Sequence, residues 1–335
     1  MPRPTRRQLL QSAAAAALLP CPSIPVLNRQ AQIAITLDLE MSRNFPVWDA
    51  THWDYEKGNL NDETKQYAVE AARRVRAAGG VIHFFALGRT LEQPDVTWLA
   101  ELAANGHPIG NHTYDHINVL AARIEDLQYR FQRAPWLLRG MPVTDAIREN
   151  IRIAAEAIQS RVGVRPAGFR TPGGFSEGLR QHPEIRNLLK ELGYSWVSSL
   201  YPPHPMTQPM QEPNDTILQG ILDAQKLAQP FLYDDGLIEI PMSPVSDIGA
   251  FRTGRWKLDW FLRSIRQCLE WTIDQGAVFD FLAHPSCLYV VDPEFRAIDL
   301  ICDMVRQAAD RAAVVDLGTI AARISKSIPG DAGSN

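Results

Sequence analysis

Gln32-Ile33-Ala34-Ile35-Thr36-Leu37-Asp38 reads as a buried strand that ends in an acid, and the fold follows from what comes after it. Asn61-Asp62-Glu63 caps a helix expected over 61–78, with Tyr67, Val69, Ala72 and Val75 on its apolar face and Gly79-Gly80 to stop it. Val81-Ile82-His83-Phe84-Phe85-Ala86 is a second strand, in which His83 reads as a core histidine rather than a ligand. A helix over 95–104 and the turn Asn105-Gly106 then lead to a short strand over 107–111. This βαβαβ rhythm implies parallel strands with helices outside.

Further along, helices are expected over 124–133, 144–161, 185–192, 257–274, 293–311 and 317–325. Strands are expected before the turn at 171–174 and over 195–200, 237–240, 277–283 and 313–315. Residues 201–232, proline-rich at their start, read as the least regular part, and 41–60 as a long loop carrying Phe45, Trp48, His52, Trp53 and Tyr55. That loop is too long for an ordinary βα connection and suits a lid or a packed cap. No internal repeat or low-complexity linker interrupts the pattern. The economical reading is an α/β fold, a distorted (β/α) barrel of seven or eight parallel strands over 31–326.

The 335-residue chain is 45% hydrophobic, enough for a large core, and its formal net charge of -4 comes with no long basic run. Both features argue against a nucleic-acid partner. Cys21, Cys268, Cys287 and Cys302 lack the close pairing of a zinc knuckle or redox motif and are expected to be free thiols. Residues 1–30 differ from the rest: Arg6-Arg7 precedes a short apolar run with five consecutive alanines, as in a twin-arginine export signal, which implies a periplasmic or extracellular protein. The run is too short to span a bilayer and Pro20, Pro22 and Pro25 follow it, so no stable membrane anchor is expected; Pro20 also makes Cys21 a poor lipidation site. The tail over 327–335 is expected to be disordered.

In Gly110-Asn111-His112-Thr113-Tyr114-Asp115-His116, two imidazoles lie four positions apart, one helical turn, so both rings are expected to face one point. Such a pair can supply two of the three protein ligands of a catalytic zinc; two histidines hydrogen-bonded on a helix face are the alternative. The C-terminal ends of parallel barrel strands converge on one face, and several polar residues fall at such ends. They are Asp38 and Glu40 after the first strand, His112 and His116 after the third, Arg170 in a middle one and His284 after a late one. Each alone has a structural reading; jointly they point to a site.

Thr36-Leu37-Asp38-Leu39-Glu40, His112-Thr113-Tyr114-Asp115-His116, Arg170-Thr171-Pro172-Gly173-Gly174 and Leu282-Ala283-His284 resemble, in order, the motifs of the polysaccharide deacetylases of carbohydrate esterase family four. The first motif departs from the usual adjacent aspartates: its acids alternate, as in a branch that includes cell-wall deacetylases and cyclic-imide or allantoin hydrolases. The resemblance implies a divalent metal ion, Zn2+ first among candidates, held by Glu40, His112 and His116, with Asp38 as general base, Arg170 holding Asp38, and His284 as the acid that protonates the leaving group. Asp247 is a candidate for the aspartate that usually tunes the late histidine. The implied reaction is removal of N-acetyl or O-acetyl groups from a polysaccharide such as peptidoglycan or a chitin-like glycan; hydrolysis of a small cyclic amide, imide or ureide is the alternative. Non-haem iron also binds two histidines and a carboxylate, but needs neither a second acid nor a late histidine. A non-catalytic carbohydrate-binding relative would be expected to lose the base or the acid, and this sequence has both.

Overall fold

The computed structural model describes residues 30–49 and 56–327. The segment read as an export signal, with Arg6, Arg7 and Cys21, the loop residues His52, Trp53 and Tyr55, and the tail beyond Ser327 lie outside the described residues. Nine strands make one sheet: β1 (Ala31–Leu39), β2 (Ile82–Ala86), β3 (Ile109–Asn111), β4 (Phe169–Phe175), β5 (Trp196–Leu200), β6 (Phe231–Leu232), β7 (Ile238–Glu239), β8 (Val278–Ala283) and β9 (Ala312–Val314). Their order is β6-β7-β5-β4-β3-β2-β1-β8, with β9 against the start of β1. Every pairing is parallel except that of β6 with β7. Eight parallel strands and a short antiparallel edge therefore agree with the barrel expected from the sequence.

The helices are α1 (Asp62–Ala77), α2 (Thr97–Ala104), α3 (Ile124–Leu127), α4 (Tyr129–Arg133), α5 (Val143–Val162), α6 (Pro183–Glu191), α7 (Asp215–Leu227), α8 (Leu258–Gln275), α9 (Pro285–Val291), α10 (Arg296–Ala308) and α11 (Leu317–Ser327). Asn61 starts α1 by accepting the Thr64 N–H at 3.0 Å. The helix buries Tyr67, Ala68, Ala71, Ala72 and Val75, while Val69 is exposed on the outer side. β1, buried along its whole length, takes β2 on one side and β8 on the other.

Closure between β7 and β8 is by single bonds rather than a ladder. Past β7, the Ile240 and Met242 N–H groups donate to the Val197 and Leu200 carbonyls, each at 2.9 Å. Ser243 N–H then donates to the Asp280 carbonyl at 3.1 Å, and Asp280 N–H donates to Ser243 Oγ at 3.0 Å. Lower down, the Gln229 side chain accepts the Val278 N–H at 2.9 Å and donates to its carbonyl at 3.1 Å. Side-chain amides and a hydroxyl thus satisfy backbone groups that a neighbouring strand would otherwise take.

Three departures from expectation have local causes. Residues 201–232 are not irregular throughout: Asn214 accepts the Ile217 N–H at 3.0 Å and starts α7, which buries Leu218, Ile221, Ala224 and Gln225. The helix expected over 293–311 begins only at Arg296, because the Asp292 carboxylate takes the Arg296 and Ala297 N–H groups at 2.9 and 2.8 Å and forms its start. The helix expected over 124–133 is two short ones, broken at Gln128, whose backbone is extended.

Candidate metal centre

Alternation along a strand sends every second side chain to the same face, so Thr36 and Asp38 share the barrel interior, and Glu40 follows at the strand end. All three are buried. Arg170, in β4, is fully buried opposite them and its guanidinium joins two strands: Nη1 donates to Thr36 Oγ1 at 2.7 Å and to Asp38 Oδ1 at 3.0 Å, while Nη2 donates to Asp280 Oδ2 at 2.5 Å. Ser198 Oγ and the Phe85 ring face take the remainder of the guanidinium.

The histidine pair converges, but not by a helical turn. After β3 the chain is a loop with left-handed residues at Thr113 (φ 64) and His116 (φ 59). Side chains hold that costly backbone in place. Asn111 Oδ1 accepts the Thr113 N–H at 2.8 Å; Asn150 Oδ1, reaching in from α5, accepts the Tyr114 and Asp115 N–H groups at 2.9 and 3.0 Å; Thr113 Oγ1 accepts the Ile117 N–H at 3.2 Å. Asp115 is fixed by Asn150 Nδ2 at 2.8 Å and Arg130 at 2.6 Å. The two imidazoles end 5.2 Å apart, centre to centre, with their planes at 74°.

Glu40, His112 and His116 bring one donor atom each to within 4.8 Å of one another. Glu40 Oε2 lies 2.7 Å from His116 Nε2 and 3.7 Å from His112 Nε2, yet this buried oxygen accepts no hydrogen bond, so the short approach lacks hydrogen-bond alignment. An orphaned buried carboxylate oxygen facing two imidazoles fits a divalent cation with oxygen and nitrogen ligands. Burial, only partly offset by the nearby carboxylates, lowers the His112 pKa to about 4 and pulls His116 down as well, so both rings are neutral and can ligate near pH 7. His112 Nδ1 sits 3.0 Å from the Arg170 carbonyl, which can only accept; the proton is therefore on Nδ1 and Nε2 is free. For Glu40, burial works to raise the pKa, but His116 and Lys57 override it and hold the carboxyl well below its usual range. Lys57 Nζ contacts Glu40 Oε1 at 2.7 Å.

His284, at the end of β8, faces the same centre from the other side, its Nε2 3.7 Å from Glu40 Oε1. Asp247, fully buried, is its partner: Oδ1 lies 3.0 Å from Nδ1 and Oδ2 accepts the His284 backbone N–H at 2.8 Å. Burial pulls the His284 pKa down, but Asp247 more than compensates and the net shift is upward. The three groups proposed for metal binding and the three proposed for catalysis thus meet at one place, and Asp247 stands where the tuning aspartate is expected.

Sequence reasoning passed over Asp280 and Lys57. Asp280 is an acid in the middle of the apolar run Val278-Phe279-Asp280-Phe281, which was itself a signal: a buried strand rarely carries a charge without a partner. Burial raises its pKa to about 6 against the opposing pull of Arg170. Lys57 had no such signal, since it reads as an ordinary loop lysine. His83 is a core residue as expected, fully buried and stacked on Phe85 at 4.7 Å. Cys268, Cys287 and Cys302 are free and buried.

These groups open into a cavity of about 490 Å³, lined also by Ser42, Arg43, Gly173, Tyr201 and Arg252. A second hollow, of about 860 Å³, is lined by Arg152, Arg165 and Trp196 and holds none of these groups. Of the aromatic loop, Phe45 is buried and Trp48 is exposed under the Arg255 guanidinium at 4.2 Å, tying the loop to the segment after β7. No helix among the described residues is long and apolar enough to cross a membrane.

A family model described as polysaccharide deacetylase matches residues 60–197, a segment that contains His112, His116 and Arg170. No curated protein matches the chain. Solved structures share the fold at low identity. A Mycobacterium smegmatis protein assigned to the polysaccharide deacetylases is 18% identical, covering 93% of this chain and 96% of that one with a TM-score of 0.59. A Pseudomonas aeruginosa PAO1 protein assigned likewise is 14% identical over 89% and 92%, with a TM-score of 0.59. The Puue allantoinase is 15% identical over 92% and 95%, with a TM-score of 0.61. The matched segment is thus similar to the polysaccharide deacetylases, and the barrel around it is the fold of these solved structures.

Proposed function

We propose that this protein is a metal-dependent hydrolase that removes N-acetyl or O-acetyl groups from a polysaccharide such as peptidoglycan or a chitin-like glycan. The observation that carries this reading is the different setting of two neighbouring carboxylates: Glu40 faces both imidazoles, whereas Asp38 gives Oδ1 to Arg170 at 3.0 Å and keeps Oδ2 beside the centre, 3.7 Å from His112 Nε2. A divalent ion, Zn2+ for this donor set, would polarise the acyl carbonyl and acidify a water. Asp38, oriented by Arg170, takes the proton from the attacking water. The Gly173 N–H, in a left-handed turn (φ 71) lining the cavity, donates to the developing oxyanion. His284, with its Nδ1 proton held by Asp247, delivers the Nε2 proton to the departing nitrogen or oxygen. An amine needs that proton more than an alcohol does, since its anion is the worse leaving group.

The same groups suit a small cyclic amide or ureide, and the alternation of Asp38 and Glu40 in this chain keeps that reading beside the first. Acetate released by the zinc-loaded protein from N-acetylglucosamine oligomers and acetylated xylan, measured beside ring opening of a panel of cyclic imides, separates the two. Turnover of cyclic imides with no acetate release would overturn the deacetylase reading. We also infer export by the twin-arginine route; replacing Arg6 and Arg7 by Lys should leave the precursor in the cytoplasm, and unchanged export would refute it.

A further inference from the structure

The cavity beside the candidate metal centre carries more positive charge than its own acids use. Lys57 is committed to Glu40 at 2.7 Å, and Arg170 to Asp38 and Asp280. Arg43 and Arg252 also line the cavity, and neither has an ion pair or side-chain hydrogen bond with any described residue. Arg43 is exposed at the end of β1's loop; Arg252 is half-buried in the turn that follows Asp247. A half-buried guanidinium without a partner is expensive, and elsewhere in the barrel the cost is met directly: Arg186, buried, holds Asp234 and Asp235. Burial lowers the Arg252 pKa, Arg43 adds to this by repulsion, and Asp247 and Glu40 only oppose it without contact. Two cations thus line the cavity with five donors each and no side-chain acceptor among the described residues.

Resting on the hydrolase reading above, we infer that the substrate carries a carboxylate beside the scissile acyl bond, and that Arg252 and Arg43 bind it. A planar, bidentate fork matches a carboxylate better than it matches sugar hydroxyls. The substrate class narrows accordingly to an N-acyl compound with an acid group close to the reacting carbon, either an acidic amino sugar within a glycan or a small amide acid. An uncharged chitin-like polymer would leave both guanidinium groups unpaired.

The test uses matched pairs in which only the charge differs: N-acetylmuramic acid glycan oligomers and their methyl esters, and hydantoin-5-acetic acid and its methyl ester. On the zinc-loaded full chain, one acid should exceed its ester at least tenfold in kcat/KM, chiefly through KM, and the pair that shows it identifies the source. Arg252→Gln and Arg43→Gln should each shrink that ratio several-fold, and the double substitution should bring it to about one, as expected for the loss of charged hydrogen bonds. Calorimetric binding of muramic acid against glucosamine, and of the hydantoin acid against its ester, gives a readout that does not need turnover. Acid binding should weaken with ionic strength. Equal rates and equal affinities for acid and ester in both pairs, or a preference that survives both substitutions, would overturn the inference. If no amide or ester is hydrolysed at all, the hydrolase reading fails while the binding comparison still decides for or against anion recognition.

Discussion

Asp247 holds His284 at two points, its Oδ1 3.0 Å from the imidazole Nδ1 and its Oδ2 2.8 Å from the backbone N–H of the same residue. The carboxylate therefore fixes both the ring and the end of β8 that presents it. Its charge also opposes the burial that would keep the ring neutral, and the His284 pKa is raised in consequence. An acid catalyst with a raised pKa keeps its proton to higher pH.

In Asp247→Asn the burial remains and the opposing charge is gone, so the His284 pKa should fall. The alkaline limb of the kcat profile should then move to lower pH, with the acidic limb in place. A profile of unchanged shape, measured on an N-acetyl substrate, would show that His284 is not the group responsible for that limb.

His284→Ala should cost about 10²–10⁴ in turnover of an amide, the usual worth of a positioned general acid. On an activated aryl acetate, whose leaving group departs unaided, it should cost little, while Asp38→Asn should lose both activities. Equal losses by His284→Ala on both substrates, with metal content intact, would assign the residue another role.

The division of carboxylates predicts a division of phenotypes. His112→Ala or His116→Ala should remove most bound zinc, measured by elemental analysis after gel filtration, and Asp38→Asn should keep it, since a base does not hold the ion. If Asp38→Asn loses zinc as His112→Ala does, the two roles have been divided wrongly.

Asp280 links this site to stability. Its folded pKa of about 6 stands above the 3.8 of an unperturbed aspartate, so between those values the folded protein holds a proton the unfolded chain has released. Stability should therefore fall as pH rises from about 4 to about 6 and should not fall further through this group above that. Asp280→Asn should flatten the slope in that window, read from urea midpoints at stepped pH. The milder substitution is needed because removing Arg170 would strand two buried carboxylates, at a cost of about 3–5 kcal/mol.

Much of this arrangement was legible in the chain because burial and strand ends leave local marks. The apolar run that ends at Asp38, the capping Asn61 and the Gly79-Gly80 stop each specify their element without help from the rest of the fold. Glu40, His112, His116, Arg170 and His284 stand out because each is polar at the end of an apolar strand. What was not legible depends on partners far away. The His112–His116 spacing suggested a helical turn, but Asn150, 34 positions beyond His116, supplies the hydrogen bonds that hold a left-handed loop instead. The cap of α7 was hidden behind the proline-rich run that precedes it. Lys57 acquires meaning only when Glu40 is placed beside it.

The join between the segment after β7 and β8 also determines how the site should fail. Asp280 takes part in it through its backbone, bonded both ways to Ser243, and the same residue holds Arg170 of β4 through its carboxylate. A seam held by isolated bonds exchanges its amide protons sooner than a paired ladder does, because no neighbouring bond must break with it. Fraying there releases the guanidinium that orients Asp38 while the strands on the far side, β1 to β4, stay paired. In mild denaturant, inactivation should therefore precede the loss of helical signal, and the amides of Ser243 and Asp280 should exchange ahead of those of Ile35 and Leu37.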